Sequence, residues 1–447
     1  MATQSVSQIL DSKPAGQVRR RWQEAFRQRM HDLSLDTWRC VGVDIGKYEH
    51  VGVVTDGWGE LLVNPVRFSI RQADVNQFLA QIDLTLVGAS CPLVAMEPTG
   101  HYYESLAYEV SQRFGAEQVF LVQSYDVAER RKAWNKGTFK NDEVDACVIA
   151  QLLREGHGRP YRPPTGIYLT LYHLERYRLA REQAATRLKN QIIGHVDRLY
   201  PGLVVRDDDA AERLKPMFRD MWLAETPRRL VELCPDPATL RQHTVDSLYQ
   251  LFRAAGYWMN RPYAERILAA AQGLCLPDPE LVTVRVTMLQ QDLCSLTMAE
   301  QQVADTEVNM IAHLDESWGI WLRPTGVDPA RLACLVATIG DIGQYESARQ
   351  LFGRSGLHVG CNDSGTRQQR GLGRHIIKPG DRHLRRQLMR FTFSMLARYP
   401  ALRAYQAQCQ QRGLSKVAAR IAVARKLTGI IFSLATRQCP FEPERLA

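Results

Sequence analysis

RCVGVDIGKYEHVGVVTD, residues 39–56, is the segment on which the reading of the fold turns. It holds two apolar, β-branched runs, RCVGVDIG (39–46) and HVGVVTD (50–56), joined by a short turn that contains Gly46. A third run, ELLVNPVRF (60–68), follows after another short Gly-containing connection. Three such runs in succession predict an antiparallel meander, because connections this short join antiparallel strands. Downstream the pattern changes. A helix near 71–83, a strand PLVAME (92–97), a helix at 101–114, a strand QVFLVQ (118–123) and helices at 125–135 and 142–155 alternate in the way that builds parallel strands through helical crossovers.

The β-β-β-α-β-α-β-α order is that of an RNase H-like sheet. Ahead of it, QVRRRWQEAFRQRMHDLSL (17–35) reads as a basic amphipathic helix, with Trp22, Phe26 and Met30 at four-residue spacing. Behind it, Pro160, Pro163 and Pro164 mark a linker. Residues 168–200 then repeat apolar positions at helical spacing with Arg and Lys between them, and 281–314 form a second long heptad-like run able to pair with the first. Short helices opened by Pro-Asp-Pro turns (235–237 and 277–279) lie between the two. Residues 325–447 read as helical except for a Gly-rich basic loop at about 354–380. The fold expected is a multidomain α/β plus α chain. Its parts are a basic extension (1–36), an RNase H-like domain (37–160), a helical, partly coiled-coil middle (161–320) and a mostly helical C-terminal domain (321–447).

A chain of 447 residues has the length of about three domains. Its apolar share of 45%, charged share of 23% and mean hydropathy of −0.29 are ordinary globular values. The net charge is +9, and 47 of the 57 basic residues are Arg, whose planar fork of donors suits phosphate oxygens. A pI near 9.1 points to a polyanionic partner. The most apolar stretch, 421–435, is interrupted by Arg425 and Lys426, so no membrane span is expected. Met1–Gly16 has no apolar core ahead of a small-residue cleavage site, so the expected location is cytoplasmic. Ten Cys scattered singly give neither zinc spacing nor a disulfide framework; reduced, mostly buried thiols are expected.

Four carboxylates fall on the elements where an RNase H-like sheet would use them. Asp44 sits on the first, buried strand, where an ionised carboxylate needs a compensating partner. Glu97 closes the fourth strand in VAMEPTG (94–100). Asp142 and Asp145, in FKNDEVDACVIAQLL (139–153), stand three apart at the start of a helix whose Val144, Val148 and Leu152 face the sheet. Together Asp44, Glu97, Asp142 and Asp145 supply hard oxygen donors for divalent metal, with Mg²⁺, or Mn²⁺ in its place, as the expected cofactor. Two such ions about 4 Å apart would stabilise the attacking and leaving oxygens of a phosphodiester displacement. Taken singly the residues have plainer readings. Asp142 fits a helix N-cap with Asp145 completing the turn, and Asp44 also fits the phosphate loop of an actin-like kinase. A DnaQ-type exonuclease is disfavoured, because the second position after Asp44 is Gly46 and not Glu.

The second constellation is SGLHVGCNDSGTRQQRGLGRHIIKPGDRHLRRQLMRF, residues 355–391. Between Thr366 and Arg390 it holds Arg367, Arg370, Arg374, Lys378, Arg382, Arg385, Arg386 and Arg390 against only Asp381, which reads as a phosphate-binding surface for nucleic acid. Ser364, beside Gly365, is a hydroxyl able to attack a phosphodiester if activated, although a Ser in a polar loop is more often a turn former. His375 and His383 read as solvated or phosphate-contacting and not as zinc ligands.

The ordered set Asp44, Glu97 and Asp142-x-x-Asp145, followed by an Arg-rich long helix and TGVDPARLACLVATIGDIGQYESARQLFGRSGL (325–357), resembles the insertion-sequence-110 family of transposases, the DEDD transposases. The likeness extends to KNDEVDACVIAQLL (140–153), RLKNQIIGHVDRLYPGL (187–203), KPGDRHLRRQL (378–388) and KVAARIAVARKLTGIIFSL (416–434), and so covers nearly the whole chain. It departs at Asn362-Asp363, where many relatives carry a second Ser, and at LGRHIIKPGD (372–381). The resemblance implies a RuvC-like N-terminal domain, a coiled-coil middle and a C-terminal transposase domain. It also implies donor and target DNA as partners, guidance by a structured non-coding bridge RNA, and a homodimer or homotetramer. Carried over, it makes Asp44, Glu97, Asp142 and Asp145 the metal site and Ser364 the nucleophile. The rival readings are a RuvC-like, structure-specific endonuclease using metal-activated water, an actin-like kinase, for which no second β-β-β-α half appears after residue 160, and a non-catalytic RNA-binding scaffold.

Overall fold

The computed structural model describes residues 35–88, 92–135, 141–205, 217–357, 359–361, 374–376 and 380–446. The basic helix expected at 17–35 lies outside them but for its last residue, Leu35, which opens a short 3-10 turn, Leu35–Thr37. The chain divides into two compact units, Met1–Pro163 and Pro164–Ala447.

The first unit is built on a six-stranded sheet of order β3-β2-β1-β4-β5-β6. Strands β1 (Arg39–Ile45), β2 (Glu49–Thr55) and β3 (Leu61–Ser69) form the antiparallel meander, and the chain then crosses over through helix α1 (Gln72–Leu84) to β4 (Pro92–Met96), parallel to β1. Helix α2 (Tyr103–Phe114) leads to β5 (Val119–Leu121), parallel to β4, and helices α3 (Ser124–Asn135) and α4 (Asp142–Arg154) precede the short antiparallel β6 (Arg159–Pro160).

β1 is central and buried on both faces, which is why its sequence is a nearly continuous apolar run. Val41, Val43 and Ile45 pack with Phe78, Leu79, Ile82 and Leu106 from α1 and α2. Cys40 packs on the opposite face with Val148, Ile149 and Leu152 of α4. Between these, Gly42 lets α4 approach the sheet backbone directly: a Cβ there would lie 2.2 Å from the Ala146 carbonyl oxygen and 2.5 Å from the Ala150 nitrogen. Both are backbone atoms, so the helix itself would have to move. Gly42→Ala is expected to destabilise the first unit by about 2 kcal/mol or more, read as a lower urea midpoint. An unchanged midpoint would mean that α4 does not rest on Gly42.

The second unit is organised around two 34-residue helices, α5 (Gly166–Leu199) and, after the intervening short ones, α10 (Pro279–Ala312). Arg178–Glu307, Lys189–Glu300 and His195–Asp292 contacts run in opposite residue order along the two, so they pair antiparallel. Between them lie α6 (Glu225–Leu233), α7 (Pro237–Gln242), α8 (Val245–Ala254) and α9 (Arg261–Gly273). The Pro-Asp-Pro turns work as expected: Asp236 and Asp278 cap α7 and α10, with Pro237 and Pro279 in the first turn. These short helices share a core with the joined end of the pair, through Ile192, Leu199, Tyr200, Leu230, Phe252, Ile267 and Leu289. At the other end, Leu171 and Met310 enter a second core made by α11 (Pro329–Ile339), α12 (Ala348–Arg354), α13 (Arg382–Arg398), α14 (Pro400–Gln411) and α15 (Lys416–Arg437).

Two expectations need correction. The region after 325 is not purely helical outside a loop, because β7 (Val359–Cys361) and β8 (Arg374–Ile376) pair antiparallel within the Gly-rich segment. Of the eight described free cysteines, Cys40, Cys234, Cys334 and Cys409 are buried, but Cys275 and Cys294 are exposed. No helix among the described residues is long and apolar enough to cross a membrane.

Candidate functional site: the carboxyl edge of the sheet

Strand register brings the first two acidic positions together. Val43 of β1 pairs in parallel with Met96 of β4, so Asp44 and Glu97 follow at adjacent strand ends. Asp44 pairs across β1–β2 with Val51, which packs with Ala146 and Ala150, and this puts Asp44 on the face covered by α4. Glu97 is one residue past Met96, which packs on the opposite, α1 side, so alternation along the strand directs Glu97 toward the α4 face as well. α4 runs antiparallel to β1 and begins above this carboxyl edge.

The N-cap of α4 is Asn141, not Asp142: the Asn141 side chain accepts from the Glu143 N–H at 3.2 Å. Asp142 is freed from capping and exposed, and Arg67 of β3 reaches it at 3.4 Å and Glu143 at 3.8 Å. One turn on, Asp145 is 4% exposed. Burying a carboxylate there requires a counter-charge, and Arg131 of α3 supplies it, with its Nη1 donating to both oxygens at 2.6 and 2.5 Å. Arg131 and Arg67 were not singled out in the sequence; one of 47 arginines carries no local mark of the carboxylate it will meet.

Strand register thus puts Asp44 and Glu97 at one edge of the sheet, and Asp142 and Asp145 fall in the first turn of α4, each paired with a guanidinium group. Among the described residues no three His, Cys, Asp or Glu side chains are gathered closely enough to hold a metal ion. The donor set is all carboxylate oxygen, which is the chemistry a hard divalent cation takes.

Of the second constellation, Ser364, Arg367, Arg370 and Lys378 lie outside the described residues, and Arg374 falls on β8. Arg382 is exposed at the start of α13, whose N-cap is Asp381, accepting from His383 and Leu384 at 2.9 and 3.0 Å. Arg385 donates to the Ser355 carbonyl at 3.3 Å. Arg386 is not a free phosphate ligand in this geometry, because Glu182 of α5 binds it at 2.7 Å and also takes Arg390 at 3.1 Å. Behind Glu182, the buried Arg178 pairs with Glu175 at 2.7 Å, and Glu175 in turn accepts from Gln387 of α13 at 2.9 Å.

This network fixes α13 on α5. Burial pulls the Glu182 carboxyl upward, but Arg390, Arg178 and Arg386 together outweigh it and hold the group below its ordinary value. A depressed folded value means that the contribution is complete above the ordinary pKa of 4.5 and is lost as pH falls through the lower, folded one. Glu182→Gln is therefore expected to flatten the fall in melting temperature between about pH 6 and about pH 3. A variant with the native pH profile would show that Glu182 does not carry the linkage.

A family model described as a transposase, of the DEDD type of IS110, matches residues 41–201, and a second, described as a transposase of the IS116/IS110/IS902 family, matches residues 322–407. The chain is also 24% identical over 302 residues to the "Insertion element IS110 uncharacterized 43.6 kDa protein" of Streptomyces coelicolor, an alignment covering 67% of this chain and 71% of that one. The first match contains β1, β4 and α4 with Asp44, Glu97, Asp142 and Asp145; the second contains α11 to α13 with the basic helix start. Two matches of the same kind, in order along one chain, agree with the acidic edge and the basic helix: the chain belongs to the IS110 family of transposases, which cleave and rejoin DNA.

Proposed function

We propose that the protein is a serine recombinase of this family that excises and integrates an insertion sequence under the guidance of a bridge RNA. Ser364 is the nucleophile, and the first unit is an RNase H-like (RuvC-like) domain whose carboxylates serve the same reaction. The observation that carries the reading is the register that sets Asp44 beside Glu97 under the first turn of α4. The remaining divisions follow the sequence: a middle built on the α5–α10 pair (161–320), acting as a coiled coil in a dimer or tetramer, and a C-terminal transposase domain (321–447).

A divalent cation, Mg²⁺ or Mn²⁺, would be held by Asp44, Glu97, Asp142 and Asp145, and when bound it supplies positive charge for the phosphate oxygens. The protein's own groups do the rest. The Ser364 Oγ forms a bond to a DNA phosphorus as one phosphorus–oxygen bond of the strand breaks, and the hydroxyl proton goes to the departing sugar oxygen. The bond energy kept in the phosphoserine lets a second strand reverse the step. Arg382 and Arg385 neutralise phosphates near the exchanging strands. Arg131 orients Asp145 by pairing with both of its oxygens, and would share them with a bound cation.

The test is a denaturing gel of labelled junction DNA incubated with the protein, Mg²⁺ and RNA transcribed from the flanks of its gene. Label migrating with the protein is the expected result. Cut DNA without any adduct would replace this reading with the RuvC-like endonuclease, in which water attacks.

A further inference from the structure

Residues 202–321 lie between the two family matches, and the short helices there carry a surface to which the transposase assignment gives no role. α8 and α9 are joined by Gly256-Tyr257-Trp258-Met259-Asn260, and Trp258 is 80% exposed. The turn is pinned on both sides of it. Tyr257 donates its N–H to the Phe252 carbonyl at 2.9 Å, Met259 is 2% exposed in the core beneath, and Asn260 caps α9 by accepting from the Tyr263 N–H at 2.9 Å. The fixed backbone holds this large indole outward with its ring face open to a partner.

The flanks of the turn are cationic and aromatic. Arg253, from the last turn of α8, and Arg261, the first residue of α9, close on the same ring, Tyr249, at 5.8 and 5.5 Å from its centroid. Arg229 covers Tyr257 at 4.1 Å, its charge met by Glu225 and Glu232, so the cationic character of the turn rests on Arg253 and Arg261. Arg253 donates to the Tyr249 hydroxyl at 3.0 Å and has no carboxylate partner among the described residues. Arg261 meets Asp246 at 2.9 Å, but both side chains are more than 60% exposed, and such a surface pair yields easily to a phosphate.

We propose that this turn binds an unpaired stretch of DNA, one base stacking on Trp258 while neighbouring phosphates meet Arg253 and Arg261. An indole projecting between guanidinium groups offers a π-face and compensating charge together, which is how proteins hold strands whose base faces are open. A duplex keeps those faces covered, and a transposase generates open strands when it cuts and exchanges DNA. The site lies far in sequence from Ser364 and from the four carboxylates, so its failure and the failure of the proposed chemistry are separable.

The experiment is fluorescence anisotropy of the full chain with a labelled mixed-sequence DNA strand of about 12 nucleotides, a site size typical of one stacking module. Trp258→Ala is expected to raise Kd about tenfold and Trp258→Phe to stay within about threefold of the native chain, since Phe keeps a stacking face. Arg253→Gln should lower the slope of log Kd against log salt by about 0.7. Melting curves superimposable on the native one would exclude unfolding. Unchanged affinity in Trp258→Ala, an equal loss on duplex, or a loss seen only with the matching RNA strand would overturn the proposal. So would altered sedimentation of Trp258→Ala with strand binding intact, which would assign the indole to a protein contact.

Discussion

Replacing Ser364 with Ala is expected to abolish strand exchange, by a factor on the order of 10³ or more, while DNA binding stays at the native level. The size follows from what is removed. In the proposed scheme the Oγ carries the phosphate between strands, so without it cleavage and rejoining fail together. Binding survives because the Arg-rich helix start, with Arg382 exposed and Arg385 anchored to Ser355, does not depend on the hydroxyl. The measurement is a paired assay of recombinant product and of gel-shift affinity on the same junction DNA. Cleavage by Ser364→Ala at the native rate would remove the serine from the chemistry and leave the carboxylate edge acting with water. A parallel loss in Asp145→Asn is expected, since that edge and the serine serve one reaction in the proposed scheme.

The largest expected effect on stability comes from Arg131→Met. Asp145 has a side chain only 6% exposed, and both its oxygens receive Arg131, itself 20% exposed. Deleting the guanidinium strands a carboxylate in the packed interval between α3, α4 and β1, at a cost of about 3–5 kcal/mol. The reverse change, Asp145→Asn, should cost less, because the longer and more exposed Arg131 can turn to solvent. The double variant should recover much of the loss. Chemical denaturation of the four chains completes the cycle; an Arg131→Met chain as stable as the native one would show that the pair is not formed in solution.

The sheet was legible because its signals are local. Alternating and continuous apolar runs set the strand positions, and short turns set the antiparallel half. Asp44 and Glu97 could be assigned to neighbouring ends once β1 and β4 were taken as parallel. What escaped the sequence depends on distant partners or on one-residue offsets. Asn141 and Asp142 are both good caps, and only the backbone decides that the helix begins after the first. Arg386 reads as a phosphate ligand until α13 is laid on α5 and Glu182, 204 residues earlier, intercepts it. β7 and β8 are three residues each in a Gly-rich segment, too short for a period to register. Trp258 has no motif around it, and its display follows from Met259 being drawn inward.

The α5–α10 pair also works as a ruler. Each helix has 34 residues, and at 1.5 Å per residue it runs about 50 Å. α6 to α9 share a core with one stretch of the pair and α11 to α15 with the other, and the two stretches nearly meet: α13 reaches Glu182 of α5, while Arg228 of α6 reaches Glu300, which faces Lys189. Both groups sit on the same two rods, so lengthening the pair by whole turns between the Glu182 and Lys189 contacts would move the α8–α9 turn and α13 apart in steps of about 5.4 Å.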